Sequence, residues 1–179
     1  GRPKLPRPAG ADAQAEDRYG GSPLSLACVN GSEAVVTALL DAGADANTAL
    51  RGGETPLMTA ARTGRAGPVK ALIARGSKVD AADWKGQTAL MWAAAEGHAG
   101  VTALLIEAGA DIHRRLKSGF TPLLFAAREG RIEVVRALLM AGADANEAIA
   151  TEKKTGGRAP DNGTSALLLA VENGHFELA

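Results

Sequence analysis

Gly119-Phe120-Thr121-Pro122-Leu123-Leu124-Phe125-Ala126-Ala127 opens a stretch that runs through Gly130, Val134-Val135 and Leu138-Leu139 to Gly142-Ala143-Asp144-Ala145-Asn146. It reads as a short helix, a tight turn, a second helix and a stop. Thr121 can cap the first helix through its hydroxyl, and Pro122 suits the first turn, where a missing N–H does no harm. Gly130 can take the left-handed conformation that closes a helix. Val134, Val135, Leu138 and Leu139 fall at i, i+1, i+4 and i+5, which gives the second helix one apolar face. The Gly-Ala-Asp-x-Asn run then ends that helix in an extended turn.

The same unit recurs outward from this stretch at a fixed interval. Gly20-Gly21-Ser22-Pro23-Leu24, Gly53-Glu54-Thr55-Pro56-Leu57 and Gly86-Gln87-Thr88-Ala89-Leu90 each precede the next copy by 33 residues, and Gly43, Gly76, Gly109 and Gly142 keep the same step. Gly163-Thr164-Ser165-Ala166-Leu167 opens a fifth copy 44 residues after the fourth, so eleven extra residues lie between Asn146 and Gly163. The chain divides accordingly into an irregular arm with a remnant of an earlier repeat (1–19), repeats at 20–52, 53–85 and 86–118, a fourth at 119–162 with an inserted finger loop near 148–160, and a partial fifth at 163–179. Short helices with small columns such as Ala27, Ala60, Ala93, Ala126 and Ala170 bury too little surface alone, so neighbouring units must stack into one continuous core. The expected fold is an all-α solenoid of helix-turn-helix pairs.

Composition agrees with this. Hydrophobic residues make up 46% of the 179-residue chain but aromatics only 3%, so the apolar content is mostly Ala, Leu and Val, without the blocks of a large sheet. Lys plus Arg equals Asp plus Glu at 20 each, so no overall field draws the protein to nucleic acid or an anionic membrane. The chain lacks a secretory-type apolar segment and any run near the roughly 20 residues of a membrane span, so a soluble chain is expected, with its compartment undetermined. Pro3, Pro6 and Pro8 forbid a helix before the remnant at 9–14, and 178–179 stops within the first turn of a second helix, so a longer parent protein is expected.

These residues resemble the ankyrin repeat, whose pattern is Gly-x-Thr-Pro-Leu-His-x-Ala-Ala, Gly-His, Val and Leu-Leu columns, then Gly-Ala-Asp-x-Asn. The resemblance covers 20–179 and departs at the His of Thr-Pro-Leu-His, replaced by Ser25, Met58, Met91, Leu124 and Leu168. Packing is expected there in place of a hydrogen bond. Gly67 and Pro68 lie in the first turn of a second helix, whose start is expected to fray.

The resemblance implies that inter-repeat turns project as fingers which, with the first helices, line a concave surface where partner proteins bind. The finger positions are Arg51, Gly52 and Glu54, then Trp84, Lys85 and Gln87, then Arg115, Lys117, Ser118 and Phe120. Trp84 and Phe120 stand where no core requires them, although each could cover a neighbouring finger. On the first helices, Leu26, Thr59, Trp92, Phe125 and Leu169 form one column, with Asn30, Thr63, Glu96, Glu129 and Asn173 four residues later on the same face. Its mixed polarity predicts a partly exposed step in which Trp92 and Phe125 are neighbours, flanked by Glu96 and Glu129. The inserted Glu152-Lys153-Lys154-Thr155-Gly156-Gly157-Arg158 is either a disordered stretch or a recognition loop.

No catalytic constellation, metal site or cofactor motif is present in the sequence. His98 and His175 follow turn glycines, where a structural hydrogen bond explains them; His113 replaces a turn Asn, and the three share no ligand spacing. Cys28 fills an Ala column, as a small buried residue would. The expected function is therefore non-enzymatic: a monomeric module binding an unidentified protein. Two alternatives stand beside it. One is a regulatory or spacer segment of a larger enzyme; the other, ranked last, is nucleic-acid binding through Arg51, Lys85, Arg114, Arg115, Lys117, Lys153, Lys154 and Arg158, a basic set diluted by Glu54, Asp83, Glu147 and Asp161.

Overall fold

In a computed structural model, residues 21–149, 163–175 and 177 are described. The arm at 1–19 and all but the first residues of the inserted loop lie outside them. The described residues form nine helices: α1 (Pro23–Asn30), α2 (Glu33–Asp41), α3 (Pro56–Arg62), α4 (Ala66–Ala74), α5 (Ala89–Glu96), α6 (Ala99–Glu107), α7 (Pro122–Arg128), α8 (Ile132–Met140) and α9 (Ala166–Glu172). Among them no sheet forms, and the one β element is an isolated antiparallel bridge between Ala148 and Ser165.

Each first helix starts for the reason its sequence gives. Ser22, Thr55, Thr88, Thr121 and Ser165 are extended N-cap residues whose hydroxyls accept from the backbone N–H three positions on, at 3.2–3.4 Å. Pro23, Pro56 and Pro122 sit in the first turn, where no intrahelical N–H bond is lost. An Ala replacement of such a cap costs about 1 kcal/mol.

α4 departs from expectation. It begins at Ala66, in the same register as Glu33, Ala99 and Ile132, with no shortening at Gly67 and Pro68. Pro68 is the third helical residue, whose N–H has no intrahelical acceptor anyway, and its ring is buried, so packing offsets the weak propensity of Gly67.

Two rows of helices follow from stacking. First helices pack on first helices, α1 on α3, α5, α7 and α9 in turn, and second helices pack in the order α2, α4, α6, α8. Leu24, Leu57, Leu90 and Leu123, one per repeat, are each 1% exposed, and burying each stabilises the fold by about 1.5–3 kcal/mol relative to exposure. Met58, Met91 and Leu124 are fully buried too, so packing replaces the family's His hydrogen bond at these three. Ser25 keeps a hydrogen bond, its hydroxyl donating to Ser22 O at 2.8 Å and accepting from Ser22 N–H at 3.0 Å. Leu168 is exposed, so there the expected packing is not found. Second helices are buried on one stripe only: Val36 and Leu40 in α2, Val134 and Leu138 in α8, with Val35 and Leu139 facing outward. In α2 and α8 the i, i+1, i+4, i+5 pattern is wider than the buried stripe, whereas the inner α4 and α6 bury i, i+1 and i+4: Pro68, Val69 and Leu72, then Val101, Thr102 and Leu105.

One column ties adjacent repeats together through side chains. His98 Nε2 lies 2.9 Å from the carbonyl of Arg62, the last residue of α3, and Arg131 Nε donates at 3.0 Å to the carbonyl of Ala95 near the end of α5. Both satisfy carbonyls left without partners at a helix C-terminus, where positive charge is also favoured. Gly64 and Gly97 make room for them: a Cβ on Gly64 would lie 2.6 Å from the His98 ring, and one on Gly97 would lie 2.7 Å from Arg131 Cδ. A structural hydrogen bond thus accounts for His98.

Candidate protein-binding surface

The fingers are tight hairpin-like turns closed by paired backbone bonds. Leu50 N–H donates to Glu54 O at 2.8 Å, Asp83 N–H to Gln87 O at 3.0 Å, and Leu116 N–H to Phe120 O at 2.8 Å. In the second finger the Asp83 carboxylate also accepts from the Lys85 and Gln87 N–H groups, both at 2.9 Å. Trp84 N–H reaches across to Gly52 O at 3.1 Å, which pins the second finger to the first. That approach requires Gly53: its φ is +79°, and a Cβ there would lie 3.1 Å from Asp83 Cα.

On this fixed backbone the Trp84 side chain is 82% exposed. It borders a groove of about 490 Å³ between the second and third fingers, lined by Asp83, Trp84, Lys85, Gly86, Arg114, Arg115, Leu116 and Lys117. Lys85 and Lys117 are exposed, and Gln87 is half-buried at the base of its finger. Arg115 is partly committed to structure. One of its guanidinium nitrogens donates to Gly119 O at 2.6 Å and to Ala148 O at 2.8 Å, joining the third finger to the chain that leads into the fourth.

The other aromatic candidates sit differently. Phe125 is only 7% exposed, which corrects the expected exposure of the first-helix column. Its ring lies 5.0 Å from that of half-buried Phe120, and the Arg128 guanidinium covers both at 5.0 and 5.2 Å. Arg128 is held in turn by Glu129 at 2.8 Å. Phe120 therefore covers its own repeat. Trp92 is half-buried under the guanidinium of Arg62, 5.5 Å from its ring, while Arg62 pairs with Glu54 at 3.2 Å. Such cation–π contacts contribute about 0.5–1 kcal/mol at exposed sites. The Trp92 indole N–H is buried without a hydrogen-bond partner. Thr59, in the same column, is buried with its hydroxyl satisfied: it donates to Glu54 at 3.0 Å and lies within 3.3 Å of Thr55 O. Glu96 stays exposed at the end of α5.

The thiol of Cys28 is fully buried, and burial pushes its pKa up to about 12, so at neutral pH it is neither a thiolate nor accessible. Among the described residues no group of three or more His, Cys, Asp or Glu is placed to hold a metal ion. His113 instead lies 3.8 Å from the buried carboxylate of Glu147, which accepts a hydrogen bond from the Thr121 hydroxyl. No helix among the described residues is long and apolar enough to cross a membrane.

Two stacked rows of helices with a border of rigid turns define a helical repeat solenoid whose accessible chemistry is spread along a surface. A family model described as ankyrin repeats (3 copies) matches residues 5–83, 24–116 and 69–149. The chain belongs to the ankyrin-repeat family, whose repeats are generally protein–protein interaction modules and typically non-catalytic. No curated protein is similar enough in sequence to be matched to it.

Proposed function

We propose that the chain is a monomeric, non-enzymatic scaffold or adaptor module that holds a partner protein on its finger side. Trp84, Lys85, Gln87 and Lys117 form the centre of the contact, Arg115 supports it, and Glu96 lies on its first-helix side. The observation that carries this reading is the exposure of Trp84. A large aromatic, of the type most enriched among interface hot spots, stands in solvent on a turn that backbone bonds hold still. Pre-organisation of this kind lowers the ordering cost of binding. Phe120, Phe125 and Glu129 contribute by fixing the third finger to α7 within their own repeat, and Trp92 by joining its repeat to the preceding one through Arg62.

The test is capture from lysate by the wild type and by Trp84→Ala/Lys85→Ala/Lys117→Ala, with Met140→Ser as a second-helix control, each checked for an unchanged helical melt. The partner should be lost from the finger variant and kept by the control. Equal capture by the finger variant, or loss confined to the Met140 variant, contradicts the reading. Sedimentation of the free protein as a dimer would contradict the monomer.

A further inference from the structure

Resting on the reading of the fingers as the partner-facing side, we infer that the groove between the second and third fingers takes an acidic segment of the partner protein, with carboxylates on its cations and an apolar or aromatic neighbour against Trp84. Four cationic side chains, Lys85, Arg114, Arg115 and Lys117, line this groove against a single carboxylate, Asp83. None of the four is ion-paired with a carboxylate among the described residues, whereas Arg62, Arg75, Arg128 and Arg136 each have an acidic partner. Asp83 offsets only one of the four charges, and one of its oxygens already accepts two N–H groups of its own turn.

This leaves a concentrated positive potential in a concave site on a chain with no net charge, so the field is local to the groove. Carboxylates suit it because Arg and Lys N–H groups make their strongest hydrogen bonds to ionised acceptors. The groove is also lined by Leu116, whose Cδ2 lies 3.3 Å from the position a Cβ on Gly86 would take and which supplies an apolar contact beside Trp84 in the same lining. Its volume of about 490 Å³ is within the roughly 300–1,000 Å³ of typical ligand sites. A nucleic acid fits less well. Its affinity grows with the number of phosphates neutralised along a track, and neighbouring turns carry exposed Asp80 and Asp111.

The experiment measures fluorescence anisotropy of a labelled poly-glutamate decapeptide, its poly-lysine counterpart and a decathymidylate, titrated with the whole chain. Poly-glutamate should bind saturably and poly-lysine should not. Lys85→Glu/Lys117→Glu and a rise in salt from about 50 to 500 mM should each weaken binding at least about tenfold. Trp84→Ala should weaken it at least about fivefold, and Lys70→Glu on α4 should leave it unchanged. Tighter binding of decathymidylate overturns the inference in favour of nucleic acid, and binding indifferent to Lys85→Glu/Lys117→Glu overturns the site. If poly-glutamate fails to bind while lysate capture still depends on Trp84, the acidic partner falls and the interaction module stands. If capture ignores the finger variants, both fall.

Discussion

Trp84 in the second repeat and Phe125 in the fourth belong to one architecture, and the chain treats them in opposite ways. Phe125 is 7% exposed, packed at a tilt against Phe120 and roofed by Arg128, while Trp84 is 82% exposed on a turn held by the carbonyl of Gly52. The first ring is consumed in joining a finger to its own helix. The second is supported from below by backbone bonds and stands largely in solvent. Repeat proteins derive stability from local and nearest-neighbour contacts, so an aromatic can be spared for recognition only where backbone and small residues already hold the turn. Gly53 and Asp83 do that for the second finger.

Substitutions can break or sharpen this contrast. Phe125→Ala should cost about 3–5 kcal/mol in chemical denaturation, as truncation of a buried aromatic does. A cost near zero would mean that the Phe120–Phe125–Arg128 stack is ornamental. Gly53→Ala should cost about 1–3 kcal/mol, because it forces a non-glycine residue to a positive φ and crowds Asp83 Cα. It should also weaken partner capture by displacing Trp84; capture at wild-type strength would separate the ring's exposure from its support. Thr102→Val should stabilise the protein by about 1 kcal/mol. The Thr102 hydroxyl is buried without a partner, in the column that holds Val36, Val69 and Val135 elsewhere, and an unpartnered buried hydroxyl carries its desolvation cost uncompensated. A lower midpoint would show that the hydroxyl is satisfied in solution. Trp84→Ala should change stability by less than about 0.5 kcal/mol. A larger loss would place Trp84 among the structural aromatics.

The fold was legible because its signals repeat. Caps at Ser22, Thr55, Thr88 and Thr121, and leucines at 24, 57, 90 and 123, recur at one interval, so each copy corroborates the others. The exposure of Trp84 could be read from its place in a turn. The burial of Phe125 could not, because Thr59 in the same column suggested solvent, while the contacts that bury both come from fingers: Phe120 over Phe125, Glu54 beside Thr59. Polarity along a helix does not reveal a cover supplied by the preceding turn. The roles of Arg62 and Arg128 as ring covers, and of Arg131 as a cap for the preceding repeat, were hidden for the same reason. Periodicity did carry a signal, since Arg62 and Arg128 stand in one column two intervals of 33 apart and Arg131 falls 33 residues after His98. The apparent weakness of Gly67-Pro68 misled, because propensity counts for little where Pro68 is buried.

The two tryptophans provide the most direct discrimination. In an ¹⁵N–¹H spectrum of the whole chain each contributes one indole cross-peak, assigned by Trp84→Phe and Trp92→Phe. On titration with the poly-glutamate decapeptide the Trp84 peak should shift saturably, together with backbone amides of 83–87 and 114–117, while the Trp92 peak stays in place. Movement of the Trp92 peak or of α4 and α6 amides without movement at Trp84, or a spectrum that does not change, would contradict the assignment of the finger groove as the binding surface.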